Sequence, residues 1–166
     1  MPTLLLIRHA KSVWPHDEPD DQRRDLAPRG RRQAPEVGRW LHGSGLAPAL
    51  AVVSPATRAQ KTWELIAPEL DAEVEVRTEP AAYAFSGEQI IDLVRALPAD
   101  VECAAIVGHN PALEELAELL TGESVRLVTS ALAVVQVPEF ATAGDGGGTL
   151  RSAGRPASED LQLRPF

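Results

Sequence analysis

Short apolar runs, each ended by polar or turn-forming residues, recur along this chain. The first run covers residues 4–7 and ends abruptly in Arg8 and His9. A continuous apolar run of this length predicts a strand that is buried on both faces of a sheet. Similar or alternating runs predict further strands at residues 50–54, 73–77, 104–108 and 132–137.

Four segments with helical spacing of their apolar residues follow the first, second, third and fourth of these strands. The predicted helix starts are Pro28, the turn after Ser54, the capping box at residues 86–89 and the pair Asn110-Pro111. Asn110 is predicted to be the N-cap of the fourth helix, with Pro111 in its first turn. Gly43 and Gly122 are predicted to end the first and the fourth helix.

The alternation of strands and helices with short connections predicts an α/β fold. We expect a three-layer α/β/α sandwich with a mainly parallel central sheet. The glycine cluster at residues 144–148 predicts a turn into a short strand at 149–152, since it lacks the Gly-Lys-Ser/Thr ending of a phosphate-binding loop. We expect residues 1–154 to form a single domain and residues 155–166 to form an extended tail.

Composition and net charge limit the kinds of molecule that this protein is expected to bind. The formal net charge is -8, from 16 basic and 24 acidic side chains, which argues against nucleic acid as a partner. Cys103 is the only cysteine, which excludes an intrachain disulfide and CxxC metal or redox sites. The first apolar run is too short for a signal sequence or a membrane span, so we expect a cytoplasmic protein without a membrane partner. The oligomeric state stays open.

Chemically active side chains follow three of the predicted strands. Arg8 and His9 follow the first strand, Arg58 lies just after the second, and His109 follows the fourth. In a mainly parallel sheet these strand ends lie along one edge, where open α/β sheets bind ligands. Two guanidinium groups and nearby helix N-termini offer the N–H donors that suit a phosphoryl group. The expected ligand is therefore a phosphate.

The polar segment at residues 13–28 predicts a loop next to the first strand end. Two interpretations stay open, a cover over part of the crevice and a solvated connection. Trp14 either lines the entrance of the pocket or packs within the loop. The ionic residues that are candidates for a role near the site are Lys11, His16, Asp17, Arg23, Arg24 and Asp25.

Four motifs in this chain resemble those of the histidine phosphatase superfamily, and most closely those of its small SixA-like phosphohistidine phosphatases. They are LLLIRHAKS at residues 4–12, DLAPRG at 25–30, VVSPATRAQKT at 52–62 and VGHNP at 107–111. The resemblance spans roughly residues 3–137 and implies a phosphoglycerate mutase-like fold. The order and spacing of the four motifs together indicate the family, since each motif alone is a weak indicator.

The resemblance implies that His9 is the nucleophile that takes up the phosphoryl group. Arg8, Arg58 and His109 would then bind the phosphoryl oxygens, without a metal or another cofactor. Two adjacent guanidinium groups disfavour protonation of His9, which keeps its imidazole available for attack. His109 would donate better when protonated, and the sequence leaves its charge state open.

The chain departs from the family pattern at two points. Ala10 stands where many members have glycine, which is tolerable if the backbone there has a negative φ. Members that cleave phosphate esters generally carry a carboxylic acid that protonates the leaving oxygen, and Glu79 is the nearest candidate for this acid. If Glu79 lies outside the pocket, the substrate should have a leaving group that needs little help, such as the imidazole of phosphohistidine in a protein of the histidine phosphotransfer type.

Three alternatives stay beside this hypothesis. One is a phosphatase of small phosphorylated molecules, or a mutase of sugar phosphates, within the same superfamily. A second is a phosphate-binding module that does not catalyse a reaction. The third is a metal hydrolase, for which no HxH or HExxH spacing is present. Its ligands would be His9, His16, Asp17 and His109.

Overall fold

The apolar runs form one six-stranded sheet within residues 1–157, the part of the chain that this computed structural model describes. The strands are β1 Thr3–Arg8, β2 Leu50–Val53, β3 Glu75–Thr78, β4 Cys103–Gly108, β5 Leu132–Gln136 and β6 Thr149–Gly154. Their order across the sheet is β3-β2-β4-β1-β5-β6. The first four strands in this order are parallel, whereas β5 pairs antiparallel with β1 and with β6.

Helices follow β1 to β4 and cover both faces of the sheet. The α-helices are α1 Pro28–Gly43, α2 Thr57–Ile66, α3 Gly87–Arg95 and α4 Ala112–Thr121. Three short 3-10 helices lie at Asp21–Arg23, Ala67–Glu69 and Pro80–Ala82. No helix within residues 1–157 combines the length and apolar character that a membrane crossing requires.

The side chains of β1 alternate between two hydrophobic cores. Leu5 and Ile7 pack with residues of α1 and α2, among them Trp63. Leu4 and Leu6 pack with residues of α3 and α4. All four aliphatic side chains are fully buried, and burial of each stabilises the fold by about 1.5–3 kcal/mol. The predicted three-layer sandwich with a mainly parallel sheet is thereby confirmed.

The start of the fourth helix differs from the prediction. Asn110 is not the N-cap, since α4 begins at Ala112 and Pro111 occupies the capping position. The amide Nδ2 of Asn110 donates instead to the carbonyl oxygen of Leu127 at 2.6 Å. A tertiary acceptor has therefore replaced the helix terminus as the partner of this side chain.

The structure describes only part of the region around the predicted C-terminal boundary of the domain. The last strand, β6, reaches Gly154, which is two residues beyond its predicted end. Most of the expected tail at residues 155–166 lies outside the described residues, which end at 157. The division into a domain at 1–154 and a tail stays a prediction.

The first turn of α1 packs directly against the backbone that follows β1. A Cβ atom at Gly30 would lie 2.2 Å from the carbonyl oxygen of Lys11 and 2.9 Å from its nitrogen. The same carbonyl accepts a hydrogen bond from the N–H of Ala27 at 2.8 Å. Because both sides of this contact are backbone, only glycine fits at position 30.

We predict that Gly30→Ala lowers the free energy of unfolding by about 1–3 kcal/mol, because overpacking forces the backbone after β1 to move. The matched control is Gly43→Ala at the other end of α1, where a Cβ atom meets nothing within 4 Å. This control should be neutral or should stabilise by up to about 1 kcal/mol. Urea unfolding measures both, and equal effects of the two variants would refute the packing argument.

Candidate active site

The pairing of β1 with β4 brings two histidines together at the edge of the sheet. The register places Arg8 opposite Gly108, and the N–H of His9 donates to the carbonyl oxygen of Gly108 at 3.1 Å. His9 and His109 therefore leave neighbouring strands at the same level. Their ring centroids lie 5.3 Å apart, at an interplanar angle of 53°.

The backbone fixes the tautomer of His9. Its Nδ1 lies 2.7 Å from the carbonyl oxygen of Ala10, which can only accept, so Nδ1 carries the proton and Nε2 carries the lone pair. Burial of the ring, together with the positive charges of Arg58 and Arg8, lowers the pKa of His9 to about 3. The imidazole is therefore neutral near pH 7 and presents Nε2 as a nucleophile.

The backbone at Ala10 is held by α2. Its N–H donates to Oγ1 of Thr62 at 2.9 Å, and the Thr62 hydroxyl donates to the carbonyl oxygen of Arg58 at 2.6 Å. The only non-glycine residues with positive φ within the described residues are Asp71 and Ser130. Ala10 therefore has the negative φ that its replacement of glycine requires.

His109 is fully buried and is bound on one side only. Its Nε2 lies 2.7 Å from Oγ of Ser54, and this hydroxyl oxygen also accepts from the N–H of Ala56. When the Ser54 hydroxyl donates to Nε2, the proton of the neutral ring lies on Nδ1, which has no partner in the described residues. Burial first, and then the charge of His9 and Arg58, lowers the pKa of His109 to about 3. The surroundings of His109 thus disfavour its protonation.

One carboxylate, Asp21, binds one end of the buried Arg58 guanidinium. Nη1 of Arg58 donates to the Asp21 carbonyl oxygen at 2.6 Å, and Nη2 donates to Oδ2 at 2.8 Å. Asp21 also accepts from the hydroxyl of Tyr83 and from Nε of Arg24. Burial raises the pKa of Asp21, but these three donors outweigh it and hold the pKa well below its usual range. Asp21 is therefore ionised.

Several buried N–H donors at this edge of the sheet lack an acceptor. Nη1 of Arg8 donates to the carbonyl oxygen of Leu127 at 3.0 Å, whereas its Nε has no partner. Nε of Arg58 and Nδ1 of His109 are also unpartnered among the described residues. A buried donor without a partner costs about 1–3 kcal/mol, so such donors are expected where a ligand supplies the acceptors. Three unpartnered donors at one edge of the sheet suit the oxygens of a phosphoryl group.

The loop at residues 13–28 is fastened to this site. Beyond Asp21, the buried Arg24 donates to Oγ of Ser12 at 2.7 Å. Its guanidinium carbon lies 3.5 Å from the centroid of the exposed Trp14 ring. Asp25 makes ion pairs with Arg31 and Lys61. The other ionic candidates are exposed, and their side chains form no hydrogen bond or ion pair with the site within residues 1–157; they are Lys11, His16, Asp17 and Arg23.

Glu79 follows β3 at the same edge of the sheet as the histidines. Its backbone N–H donates to the carbonyl oxygen of Val53 at 3.0 Å. The side chain is half-buried and makes no hydrogen bond or ion pair with another described residue. Its role as an acid stays a prediction.

The metal-hydrolase alternative lacks a ligand set in the described part of the chain. No group of three or more histidine, cysteine, aspartate or glutamate side chains is placed there to hold a metal ion. His16 and Asp17 therefore do not join His9 and His109.

Four residues of the site were missed from the sequence, namely Asp21, Ser54, Thr62 and Tyr83. Asp21 is one of several acidic residues in a polar loop, and no local pattern distinguishes it. Tyr83 is the only tyrosine in the chain, which was a usable signal.

Comparison with known proteins identifies the family. The sequence profile of the histidine phosphatase superfamily (branch 1) matches residues 4–82. An uncharacterized protein of Mycobacterium leprae (strain TN) is 33% identical over 144 residues, which cover 79% of this chain and 87% of the relative. The chain belongs to the histidine phosphatase superfamily. An uncharacterized chloroplastic protein of Arabidopsis thaliana is 29% identical over 170 residues, covering 93% of this chain and 78% of that protein.

Solved structures agree with this assignment. A candidate phosphohistidine phosphatase SixA from Nakamurella multipartitia is 26% identical, with a TM-score of 0.79 over 95% of this chain and 97% of that one. A candidate α-ribazole-5'-P phosphatase of Escherichia coli K-12 shares the fold at 18% identity, with a TM-score of 0.74 over 94% of this chain and 98% of that one. The phosphoglycerate mutase-like fold is thus confirmed, and this histidine phosphatase superfamily member is a phosphatase that acts on phosphorylated substrates.

The low pKa values of the two histidines predict a loss of stability in mild acid. The folded-state pKa of His9 and of His109 is about 3, whereas the ordinary value is 6.5. The unfolded state therefore binds more protons between these values, so stability falls as the pH decreases from about 7 toward 3. We expect each histidine to contribute roughly 2 kcal/mol of this loss between pH 7 and pH 5, measured by urea unfolding.

Single substitutions test whether His9 and His109 cause this pH dependence of the unfolding free energy. His9→Asn and His109→Asn should each reduce it, whereas His16→Asn, at an exposed histidine, should leave it unchanged. A wild-type protein whose unfolding free energy is equal at pH 7 and pH 5 would contradict the buried neutral state of both rings.

We predict that Asp21→Ala lowers kcat/KM about 10- to 100-fold, because the Arg58 guanidinium loses its carboxylate acceptor and with it part of its fixed orientation. The backbone carbonyl oxygen of residue 21 stays as an acceptor, since the substitution deletes only the side chain. The matched control is Asp17→Ala, which makes the same change of charge in the same loop at an exposed position. An equal loss in both variants would show that loop charge, and not the orientation of Arg58, matters.

Proposed function

We propose that this phosphatase removes the phosphoryl group from phosphohistidine in a protein, through a covalent intermediate on His9. The proposal rests on one observation, three unpartnered donors at the sheet edge that carries the neutral His9. The neighbouring carboxylate of Asp21, which binds Arg58, is held ionised. The 26% identical SixA structure supports the same substrate class.

In the first step, Nε2 of His9 attacks the phosphorus in line with the leaving group. A bond forms between Nε2 and phosphorus, and the bond between phosphorus and the substrate imidazole breaks. Its electron pair goes to the substrate ring, whose second nitrogen carries a proton, so the ring leaves as neutral imidazole. The N–H of Nδ1 on His9 keeps its hydrogen bond to Ala10, whose carbonyl oxygen stabilises the positive charge that develops on the ring.

Arg8, Arg58 and His109 bind the phosphoryl oxygens through the atoms that lack partners, namely Nε of each arginine and Nδ1 of the histidine. Because these donors are already fixed and largely shielded from water, they stabilise transition-state charge without reorganising during the reaction. The dianionic phosphoryl group also favours a proton on His109, against the effect of burial.

In the second step, water attacks the phosphorus of phosphorylated His9. The electron pair of the broken bond returns to Nε2, which restores the neutral imidazole, and the proton of the water goes to a phosphate oxygen. Inorganic phosphate leaves. Neither step is routed through a metal ion, so a chelator should leave the turnover rate unchanged.

The acid chemistry of the pocket favours a phosphoramidate over an ester. Asp21 is ionised by its three donors and has no proton to give. The hydroxyl of Tyr83 is bonded to Asp21, and burial together with this bond raises its pKa. Glu79 is the remaining candidate acid for an ester, because its half-buried side chain at this edge is unpartnered among the described residues. A small phosphoester is therefore the second candidate substrate.

We predict that a phosphohistidine-bearing protein loses phosphate faster than phenyl phosphate does, and that His9→Ala abolishes both reactions. Arg58→Ala should lower kcat about 100- to 1,000-fold, which is typical of the loss of one transition-state donor. Glu79→Gln should leave the phosphohistidine reaction unchanged, because imidazole leaves without an acid. Phosphate release and acid-labile labelling of His9 measure these outcomes.

Two results would reverse the proposal. Fast release from phenyl phosphate that is lost in Glu79→Gln would establish the ester hydrolase instead. Tight binding of inorganic phosphate without any acid-labile adduct on His9 would indicate a phosphate-binding module.

A further inference from the structure

An exposed aromatic side chain, Phe85, borders the pocket and has no role in the reaction steps above. Its side chain remains 42% exposed, although its ring contacts two residues of the site. The ring centroid lies 5.3 Å from that of His109, at an interplanar angle of 31°. It also lies 5.0 Å from the centroid of Tyr83, in an edge-on arrangement. Phe85 therefore has one side against the site and one side open to solvent.

Neighbouring residues hold the ring of Phe85 in position. Tyr83 is anchored because its hydroxyl donates to Oδ2 of Asp21 at 2.5 Å. The backbone N–H of Phe85 donates to Oε1 of Gln89 in the first turn of α3, at 3.0 Å. A ring that is held in place and open on one side can pack against a flat ligand group in a defined offset or tilted orientation.

The direction of attack determines what lies next to this ring. His9 and His109 are 6% and 1% exposed, so both rings lie beneath the surface. In-line attack by Nε2 of His9 places the leaving group on the far side of the phosphorus, toward solvent. Phe85 lies beside His109 and is open to solvent on its other side, so a leaving group that passes outward meets the exposed part of its ring.

We propose that Phe85 is a specificity-determining residue, whose ring stacks against a flat leaving group and favours imidazole over an alkyl group. This inference rests on the proposed phosphohistidine hydrolysis. It adds that the protein selects the substrate by the shape of the leaving group as well as by the phosphoryl group. Aromatic contact of this kind is directional and prefers an offset or tilted ring, which an alkyl chain cannot reproduce.

The test compares two phosphoramidates, one with an aromatic leaving group and one with an alkyl amine, and measures how Phe85 substitutions change each rate relative to wild type. The substrates are a phosphohistidine peptide and a phospholysine peptide of otherwise identical sequence. We expect Phe85→Ala to lower kcat/KM about three- to tenfold for phosphohistidine and to leave phospholysine unchanged. Phe85→Trp should retain the preference, whereas Phe85→Leu, which is apolar without an aromatic face, should lose it. Val76→Ala is the matched control, since Val76 is an exposed apolar residue on β3.

The outcomes separate this inference from the proposed function. Equal losses of kcat/KM on both peptides in Phe85→Ala would overturn the inference, because Phe85 would then only pack against His109. Unfolding curves and the affinity for inorganic phosphate test this packing role independently. If wild type does not hydrolyse phosphohistidine, the proposed function fails first. The same contrast is then made with phenyl phosphate and phosphoserine, and a preference for the phenyl ester that Phe85→Ala leaves intact would overturn the role of Phe85 as well.

Discussion

The parallel pairing of β1 with β4 is the constraint on which the site depends. Six consecutive residue pairs fix the register, and the last pair joins Arg8 to Gly108. A shift by one residue would turn the side chains of β1 to the opposite faces of the sheet, where their apolar partners differ. Since both faces are buried, this register is strongly specified, and the residues that follow the two strands, His9 and His109, meet without any loop that would have to be ordered separately.

The site places positive charge in a chain whose net charge is -8. Three guanidinium groups influence the pKa of His9, namely those of Arg58, Arg8 and Arg24. Asp21 offsets part of this charge because it binds both Arg58 and Arg24. Burial of the remaining unpartnered donors reduces stability, and a phosphoryl group would restore the missing hydrogen bonds. The acidic surface and the cationic pocket thus serve different purposes, solubility and local attraction of an anion.

The sequence predicted the features that depend on periodicity and on strand ends. Arg8, His9 and His109 were accessible to prediction because each directly follows a buried apolar run. The acceptor of the Asn110 amide was not accessible, because the Leu127 carbonyl belongs to a segment without a periodic pattern. Asp21 was missed for a related reason, since its partners Arg58 and Tyr83 lie 37 and 62 residues away along the chain. Local propensity contains no information on such contacts.

The geometry of Arg58 allows its side chain to bind Asp21 and an anion through different atoms. Asp21 binds Nη1 and Nη2, which form one end of the planar guanidinium, whereas Nε lies on a different edge. An arginine offers five N–H donors in a fixed plane, so a carboxylate on one edge leaves donors on the other. A phosphoryl oxygen can therefore reach Nε without displacing Asp21 or the loop that carries it. Binding of an anion at Nε would therefore not compete with the ion pair between Arg58 and Asp21, and the contacts of Asp21 with Tyr83 and Arg24 would be kept.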